Sequence, residues 1–189
     1  MKEKEWVITI IPEIEQSLQH HSDNLKVIAG RKLPYSNEIL SYSGNQPDQQ
    51  NYIAYETDIL ILEQIDENCW KPRIIIETKI NKVTTHDAIT YSQKAQTHKY
   101  VHPYLRYGIL IGNRKHYPLP GRLFRHGQHF DFMLSWKTYL ADKKEWQQLI
   151  EILIDEVEAS RALEEMIFKS RSRSRMKYTL LHKPLRLGG

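Results

Sequence analysis

Cysteine, glycine and proline are scarce in this sequence, and it contains no long apolar run. The single cysteine, Cys69, excludes an intrachain disulfide and a cysteine-based zinc cage. Eight glycines and eight prolines among 189 residues, of which 40% are hydrophobic, exclude a collagen-like repeat and a wholly disordered chain. No apolar run approaches the roughly 20 residues that cross a bilayer, and residues 1–5 mix charges where a secretory signal would become apolar. We therefore expect an intracellular, cytoplasmic protein with no membrane partner.

Positive charge is concentrated at one end of the chain. The net charge is only +4, but residues 169–189 hold seven basic residues and no acidic one. Residues 1–168 therefore carry more acidic than basic residues, and their number suits one domain that buries roughly 70% of its unfolded surface. We predict a single domain over residues 1–168 and a basic tail over 169–189, which favours a polyanionic partner.

The spacing of apolar residues predicts alternating helices and strands. Helical spacing covers residues 6–20, with Pro12 in the first turn, and residues 143–170. Thr84 and Asp87 predict the start of another helix, which ends near residue 100. Apolar runs predict strands over 55–63, 72–80, 106–112 and 130–136, and the polar segment 43–51 is expected to be a loop. The fold class is α/β, with a mixed central β-sheet flanked by helices.

Three charged residues adjoin the most apolar strands. Asp58 precedes an Ile-Leu-Ile-Leu run, and Glu77 and Lys79 follow three isoleucines. Since side chains alternate along a strand, Glu77 and Lys79 share one face, and Thr78 lies on the other. The alternative, three solvated charges at strand ends, is disfavoured by the apolar runs on both strands.

The short connection between these strands predicts a symmetric hairpin centred between residues 67 and 68. Its register would form the pairs Asp58–Glu77, Leu60–Ile75 and Leu62–Arg73. Directly opposed side chains have Cβ atoms about 4.5–5.5 Å apart. The carboxylates of Asp58 and Glu77 would therefore repel each other unless a cation lay between them.

The three charged residues suit the hydrolysis of a phosphodiester. Mg²⁺ typically takes one or two carboxylates together with waters and phosphate oxygens. A metal ion held by Asp58 and Glu77 would lower the pKa of a bound water and offset charge on the scissile phosphate. The Lys79 ammonium would hold the attacking water or hydroxide, or stabilise the charge that develops on the phosphate.

Asp58 followed by Glu77-Thr78-Lys79 resembles the motif of the PD-(D/E)xK nuclease superfamily, which has the restriction-endonuclease-like fold. The resemblance covers about residues 38–112. It implies a mixed sheet flanked by helices, cleavage of nucleic acid, and dependence on Mg²⁺, with Mn²⁺ as a substitute. Thr57 stands where many members have the proline of the motif, and this departure touches no metal ligand.

The resemblance also implies a glutamate on an early helix near the metal. Glu38 is our candidate for this third ligand, with Glu13 and Glu15 behind it. The alternative for Glu38 is a solvated residue at a helix start.

Residues 96–100 look like the Gln-x-x-x-Tyr element of RecB-like members of the superfamily. Gln93, Gln96 and Tyr100 share one face of the predicted helix. Gln93 or Gln96 would orient a water or contact a phosphate. The alternative is an ordinary amphipathic helix.

Cations and aromatic residues alternate in the segment 113–128, which suits contact with phosphates and bases. The tail continues with an Arg-Ser repeat that would give salt-dependent binding. The candidate nucleic-acid-binding residues are Arg114, Lys115, Arg122, Arg125, Arg171, Arg173 and Arg175. The alternative is a solvated loop and a solvated tail.

These features together predict an Mg²⁺-dependent DNA endonuclease, such as a restriction or defence nuclease. A homodimer would suit the cleavage of two strands of opposite polarity. The alternatives are a structure-specific or single-strand nuclease of DNA repair or recombination, and a non-catalytic nucleic-acid-binding module. No phosphate-binding loop of the ATPase type is present, so ATP-driven action would require a larger complex.

Overall fold

The computed structural model describes residues 1–116, 118–169, 173 and 178–188. Its helices are α1 (Glu3–Gln19), α2 (Thr85–Val101), α3 (Gly121–His126) and α4 (Lys143–Phe168). Its strands are β1 (Leu25–Ala29), β2 (Lys32–Ile39), β3 (Tyr42–Ser43), β4 (Gln46–Pro47), β5 (Gln50–Glu56), β6 (Ile59–Gln64), β7 (Trp70–Ile80), β8 (Arg106–Gly112) and β9 (Phe132–Ser135). None of the helices in this part of the chain is long and apolar enough to span a membrane.

A five-stranded mixed sheet, in the order β1-β6-β7-β8-β9, forms the centre of the domain. The strands β1, β6 and β7 are antiparallel neighbours, whereas β7, β8 and β9 run parallel to one another. Helix α2 forms the crossover that connects the parallel strands β7 and β8. The predicted α/β class, with a mixed sheet flanked by helices, is confirmed.

Alternate side chains of the central strands enter two separate layers of the core. Ile59 and Ile61 belong to the layer that α1 and α4 cover, while Leu60 and Ile75 belong to the layer beneath α2. The helical residues of the first layer include Trp6, Ile10, Ile14, Leu149, Leu153 and Val157, and those of the second include Ala88, Ala95 and Leu123. Because helices cover both faces, continuous apolar runs are the expected pattern for these strands.

The prediction that Pro12 lies in the first turn of α1 is wrong. The helix begins at Glu3, where the Glu5 carboxylate accepts the Lys2 N–H at 2.8 Å, so Pro12 lies well inside it. Proline in a helix interior cannot donate to the carbonyl four residues before it, here that of Ile8. Both Pro12 and Ile8 are exposed, so water can satisfy this carbonyl.

The predicted hairpin register is right at one end and wrong at the other. Leu60 pairs with Ile75 as expected, but a β-bulge between Ile61 and Leu62 makes Leu62 pair with Pro72. The bulge leaves Arg73 outside the ladder pairing, and its guanidinium is buried against carboxylates. The bulge thus coincides with the buried ion pairs of Arg73.

A two-stranded ribbon of β2 and β5, extended by the short β3–β4 hairpin, was not predicted. The segment 43–51, expected to be a loop, contributes the second residue of β3, all of β4 and the start of β5. Most ribbon side chains are exposed or half-buried, so no apolar alternation marks these strands. Leu33 is the ribbon's buried anchor, in the layer beneath α2.

Candidate active site

The three charged residues lie where β6 begins and β7 ends. Because these strands are antiparallel, with Ile59 opposite Ile76, Asp58 lies beside Glu77 just outside the paired region. Strand β8 runs parallel to β7, in register with Glu77 and Lys79, so its carboxyl end reaches the same edge of the sheet. This edge, formed by Asp58, Glu77 and Lys79, is the candidate active site.

Asp58 is held by the strand that carries the other two residues. Its Oδ2 accepts hydrogen bonds from the Thr78 N–H at 2.7 Å and from the Thr78 hydroxyl at 3.0 Å. The preceding residue, Thr57, is buried and donates its N–H and its hydroxyl to the Arg31 carbonyl at 3.0 and 2.9 Å. These bonds fix the turn between β5 and β6, so the position of the Asp58 carboxylate is defined by backbone as well as by side chain.

Glu77 is a carboxylate in an almost solvent-free position, with a relative exposure of 1%. Its Oε1 accepts a hydrogen bond from the Tyr107 hydroxyl at 2.5 Å and lies 2.8 Å from the Lys94 Nζ. Burial raises the pKa of Glu77 above its usual range, the Lys94 charge opposes that rise, and the Asp58 charge adds to it. The ionised form of Glu77 is therefore less favourable at this position than in water.

Lys79 faces α1 and α2 across the edge of the sheet. Its Nζ lies 3.5 Å from Glu3 Oε1 and 5.0 Å from the centre of the Tyr91 ring. Partial burial lowers the pKa of Lys79, but the Tyr91 hydroxyl and the Glu3 and Asp87 charges outweigh it and raise the pKa above its ordinary value. Lys79 is therefore an ammonium at neutral pH, positioned by a carboxylate and an aromatic ring.

Glu38 does not occupy the early-helix position that was predicted for it. It lies on β2, not on a helix, is exposed, and accepts a hydrogen bond from the Asn51 side chain at 3.2 Å. Of the two reserve candidates, Glu13 is exposed, and the Glu15 carboxylate accepts the Val27 N–H at 2.7 Å.

Glu3, which the sequence analysis missed, is the early-helix glutamate that reaches this edge. It lies in the first turn of α1 and contacts Lys79. Burial raises the pKa of Glu3, Lys79 lowers it, and the nearby Asp58 charge raises it further. The signal that could have found Glu3 is Glu5, whose carboxylate accepts the Lys2 N–H and so starts the helix a turn before its apolar stripe.

The residues of α2 that face the site are not the ones that were predicted. Gln93 is exposed, Gln96 is half-buried, and the Gln93 amide donates to Gln96 Oε1 at 3.0 Å, so these two side chains bond each other. Tyr91 and Lys94 are the residues of α2 that contact Lys79 and Glu77. The small buried residues Ala88 and Ala95 mark the inward face of α2 and could have indicated this orientation.

Two arginines of the predicted basic segment lie at the same edge of the sheet. Arg122 donates to the carbonyl of Val83, which connects β7 to α2, at 3.0 Å. Arg114 follows the end of β8 and donates to the Pro118 carbonyl at 3.0 Å. Partial burial lowers the pKa of Arg114, and the charge of Arg122 lowers it further.

The remaining basic candidates are exposed or fall outside the described residues. Lys115, Arg125 and Arg173 are exposed. Arg171 and Arg175 lie outside the described residues. Their nucleic-acid contacts therefore stay predictions.

The donor chemistry of the edge fits a hard divalent cation. Asp58 and Glu77 supply two carboxylates, and Mg²⁺ commonly takes one or two from a protein and completes its octahedron with water and phosphate oxygens. The repulsion between them contributes to the raised pKa of Glu77, and a cation held by both would relieve it. Among the described residues, no group of three or more His, Cys, Asp and Glu side chains is arranged to hold a metal ion.

No protein-family model matches the chain, and no significant match is found among curated proteins. Any proposal of function therefore rests on the side chains at the end of β7.

Proposed function

We propose that this protein is a divalent-metal-dependent nuclease that hydrolyses DNA phosphodiester bonds. The observation that carries this proposal is the meeting of Asp58, Glu77 and Lys79 at one edge of the sheet, with Asp58 hydrogen-bonded to Thr78 between the other two. We also propose that the fold is restriction-endonuclease-like, as the resemblance implies. The support is the order of elements, in which helix α1 precedes the antiparallel strands β6 and β7 and the crossover helix α2 leads to the parallel strand β8.

Asp58 and Glu77 are the residues that would hold Mg²⁺ or Mn²⁺. When bound, the ion supplies a water of lowered pKa and neutralises charge on the scissile phosphate. The protein contributes rigidity, because Thr78 holds the Asp58 carboxylate and Tyr107 holds that of Glu77. Fixed ligands avoid reorganisation during the reaction.

Lys79 is suited to stabilise negative charge on the reacting phosphate. Its raised pKa keeps it protonated, so it acts as a point charge and hydrogen-bond donor and does not accept the proton of the water. Glu3 and the Tyr91 ring restrict where its ammonium can lie. Glu3 is therefore a positioning residue that acts through Lys79.

Arg114 and Arg122 are the described residues best placed to bind the backbone of the substrate. Arg122 bonds the Val83 carbonyl just beyond β7, and its charge lowers the pKa of Arg114, a repulsion that an anion bound by both would relieve. Arginine presents a planar fork that matches phosphate oxygens. A homodimer would bring two such edges to the two strands of a duplex.

One observation favours a second candidate, a non-catalytic nucleic-acid-binding module. Glu77 already has an ammonium partner in Lys94, and Lys79 has a carboxylate partner in Glu3. Charges that are neutralised within the protein can be structural. In this candidate the basic edge would bind nucleic acid, and no phosphodiester bond would be cleaved.

Incubation of plasmid, linear duplex and single-stranded DNA with Mg²⁺ or with EDTA separates the two candidates. A nuclease cleaves at least one substrate with Mg²⁺ only, and Glu77→Gln and Lys79→Met each reduce the rate at least about 100-fold. The matched controls are Glu67→Gln, in the hairpin turn at the other end of β7, and Lys82→Met, an exposed lysine just beyond β7. Absence of Mg²⁺-dependent cleavage by the wild type would leave the binding module as the function.

A further inference from the structure

A second lysine, Lys94, makes the closest charged contact to the buried carboxylate of the site. Its Nζ lies 2.8 Å from Glu77 Oε1, and its side chain is 17% exposed. The same ammonium lies 5.4 Å from the centre of the Tyr55 ring and 5.3 Å from that of Tyr91. Lys94 is thus held at the mouth of the site by two aromatic rings and by Glu77.

The two lysines of the site have different partners. The carboxylate partner of Lys79 is Glu3, so its ammonium can remain in place when an ion occupies the edge. Lys94 is paired directly with Glu77, which is one of the two proposed metal ligands. A divalent ion on the same carboxylate oxygen would lie within about 5 Å of the Lys94 ammonium and repel it.

A buried carboxylate requires a counter-charge in every state of the protein. Loss of one partner of a buried ion pair leaves an uncompensated charge, which is strongly destabilising. At 1% exposure, Glu77 cannot rely on water for this compensation. In the metal-free protein Lys94 supplies part of this counter-charge, and in the loaded protein the metal ion would supply it.

We propose that Lys94 is a positioning residue that neutralises Glu77 while the site is without metal and is displaced from Glu77 when a divalent cation binds. The proposal rests on the proposed function, because it takes Glu77 as a metal ligand. The Tyr55 and Tyr91 rings give the displaced ammonium a favourable place to remain. Competition between Lys94 and the cation would make metal affinity lower than the carboxylates alone would allow.

Mn²⁺ binding to the whole protein, measured by titration calorimetry without nucleic acid, tests the displacement. We expect Lys94→Met to bind Mn²⁺ at least about tenfold more tightly than the wild type, because the competing charge is gone. Lys94→Arg keeps the charge and should bind like the wild type. Lys82→Met removes an exposed lysine near the site and should change the affinity less than about threefold.

The melting temperature gives a second readout that does not depend on activity. In EDTA, Lys94→Met should melt below the wild type, because Glu77 then has no ammonium partner. Saturating Mn²⁺ should raise the melting temperature of Lys94→Met by more than that of the wild type. If Lys94→Met is too unstable to purify, Lys94→Gln offers a polar neutral replacement for both measurements.

The outcomes distinguish failure of this inference from failure of the proposed function. If the wild type binds Mn²⁺ through Glu77, but Lys94→Met binds equally or less tightly, displacement is overturned and the nuclease proposal stands. If neither binds Mn²⁺, and Glu77→Gln matches both, the inference and the metal-dependent function fail together. Mn²⁺ binding by Lys94→Met but not by the wild type would support displacement in its strongest form.

Discussion

The two ends of the β6–β7 hairpin both contain charged side chains, but the pKa values of their buried glutamates are shifted in opposite directions. The open end holds Asp58, Glu77 and Lys79. The closed end, near the hairpin turn, holds a cluster that joins β6 and β7 to α4, formed by Glu63, Lys71, Arg73, Arg161 and Glu164. The same two strands therefore carry a matched pair of charged clusters for comparison.

Carboxylates at the closed end are satisfied by arginine. The Glu63 carboxylate accepts hydrogen bonds from both Arg73 and Arg161, and Glu164 accepts from Arg73 and Lys71. Burial alone would raise the pKa of Glu63, but the two arginines lower it below its usual value. The pKa of Glu164 is lowered in the same way, by Lys71 and Arg73. The charged forms of both carboxylates are therefore favoured in the folded protein.

Carboxylates at the open end are not compensated to the same degree. The pKa values of Glu77 and Glu3 are both raised, in each case chiefly by burial and in part by the charge of Asp58. Lys94 and Lys79 offset this only in part. The comparison indicates that a buried charge without full compensation is a better candidate for a functional site than a buried charge that is fully paired.

The largest expected effect on stability is at the closed end. Arg73→Met should lower the free energy of unfolding by about 3–5 kcal/mol, because it removes the buried guanidinium that Glu63 and Glu164 share. Urea denaturation at pH 7 measures this loss. The control, Lys169→Met, removes an exposed pair with Glu165 and should have almost no effect. Equal losses for both variants would contradict the structural role of this cluster.

Neutralising one carboxylate at each end of the hairpin should change the free energy of unfolding by different amounts. In EDTA, Glu63→Gln should lower the free energy of unfolding by about 3 kcal/mol, because Arg73 and Arg161 lose their shared partner. Glu77→Gln should change it by less than about 1 kcal/mol, because it removes a poorly compensated buried charge and keeps an acceptor for Tyr107. Chemical denaturation measures both values. A larger loss for Glu77→Gln than for Glu63→Gln would reverse the comparison.

The pH dependence of stability should differ in sign between the ends. The raised pKa of Glu77 favours its protonated form in the folded state, so its stabilising contribution is present below pH 4.5 and is lost as the pH rises through the folded pKa. The lowered pKa of Glu63 makes its contribution present above pH 4.5 and lost as the pH falls through its folded pKa. Unfolding measured in EDTA between pH 3 and 8 tests this.

The two single-site variants provide the reference for these pH profiles. As the pH rises from about 4.5, the wild type should lose stability relative to Glu77→Gln. As the pH falls below about 4.5, its advantage over Glu63→Gln should shrink. Parallel profiles for the two variants would show that the ends do not differ electrostatically.

The smallest expected effects concern the arginines beside the open end. Arg114→Gln and Arg122→Gln should each weaken DNA binding several-fold for any sequence and reduce the slope of log affinity against log salt by about 1. Fluorescence anisotropy over a range of salt concentrations measures both quantities. Lys26→Gln, an exposed lysine on β1, is the control and should leave the slope unchanged. A slope that all three variants leave unchanged would place phosphate binding elsewhere.

The buried strands and the open end of the hairpin could be predicted from the sequence. Continuous apolar runs marked β6, β7 and β8, and hairpin symmetry placed Asp58 beside Glu77. The pairs nearest the turn are offset by one residue from the predicted register, and the bulge between Ile61 and Leu62 restores it on the side of Asp58. Without that bulge, Asp58 would lie opposite Ile76 and not beside Glu77.

The partners that complete the site could not be predicted, because they depend on how helices pack on the sheet. Glu3 reaches Lys79 only because α1 begins a turn before its apolar stripe, and Lys94 reaches Glu77 through the rotation of α2. Glu38 was placed on a helix, since the half-exposed strands of the ribbon have no apolar period to reveal them. Such strands are stabilised by pairing with each other, which a local pattern does not record.

The most direct test of the central claim uses two aspartates at opposite ends of the same hairpin. Asp58 lies at the open end, and Asp66 caps the turn at the closed end by accepting the N–H groups of Asn68 and Cys69. We predict that Asp58→Asn lowers the rate of Mg²⁺-dependent DNA cleavage at least about 100-fold, while Asp66→Asn retains the wild-type rate. Equal rates for the two variants would contradict the claim that the open end of the hairpin is the active site.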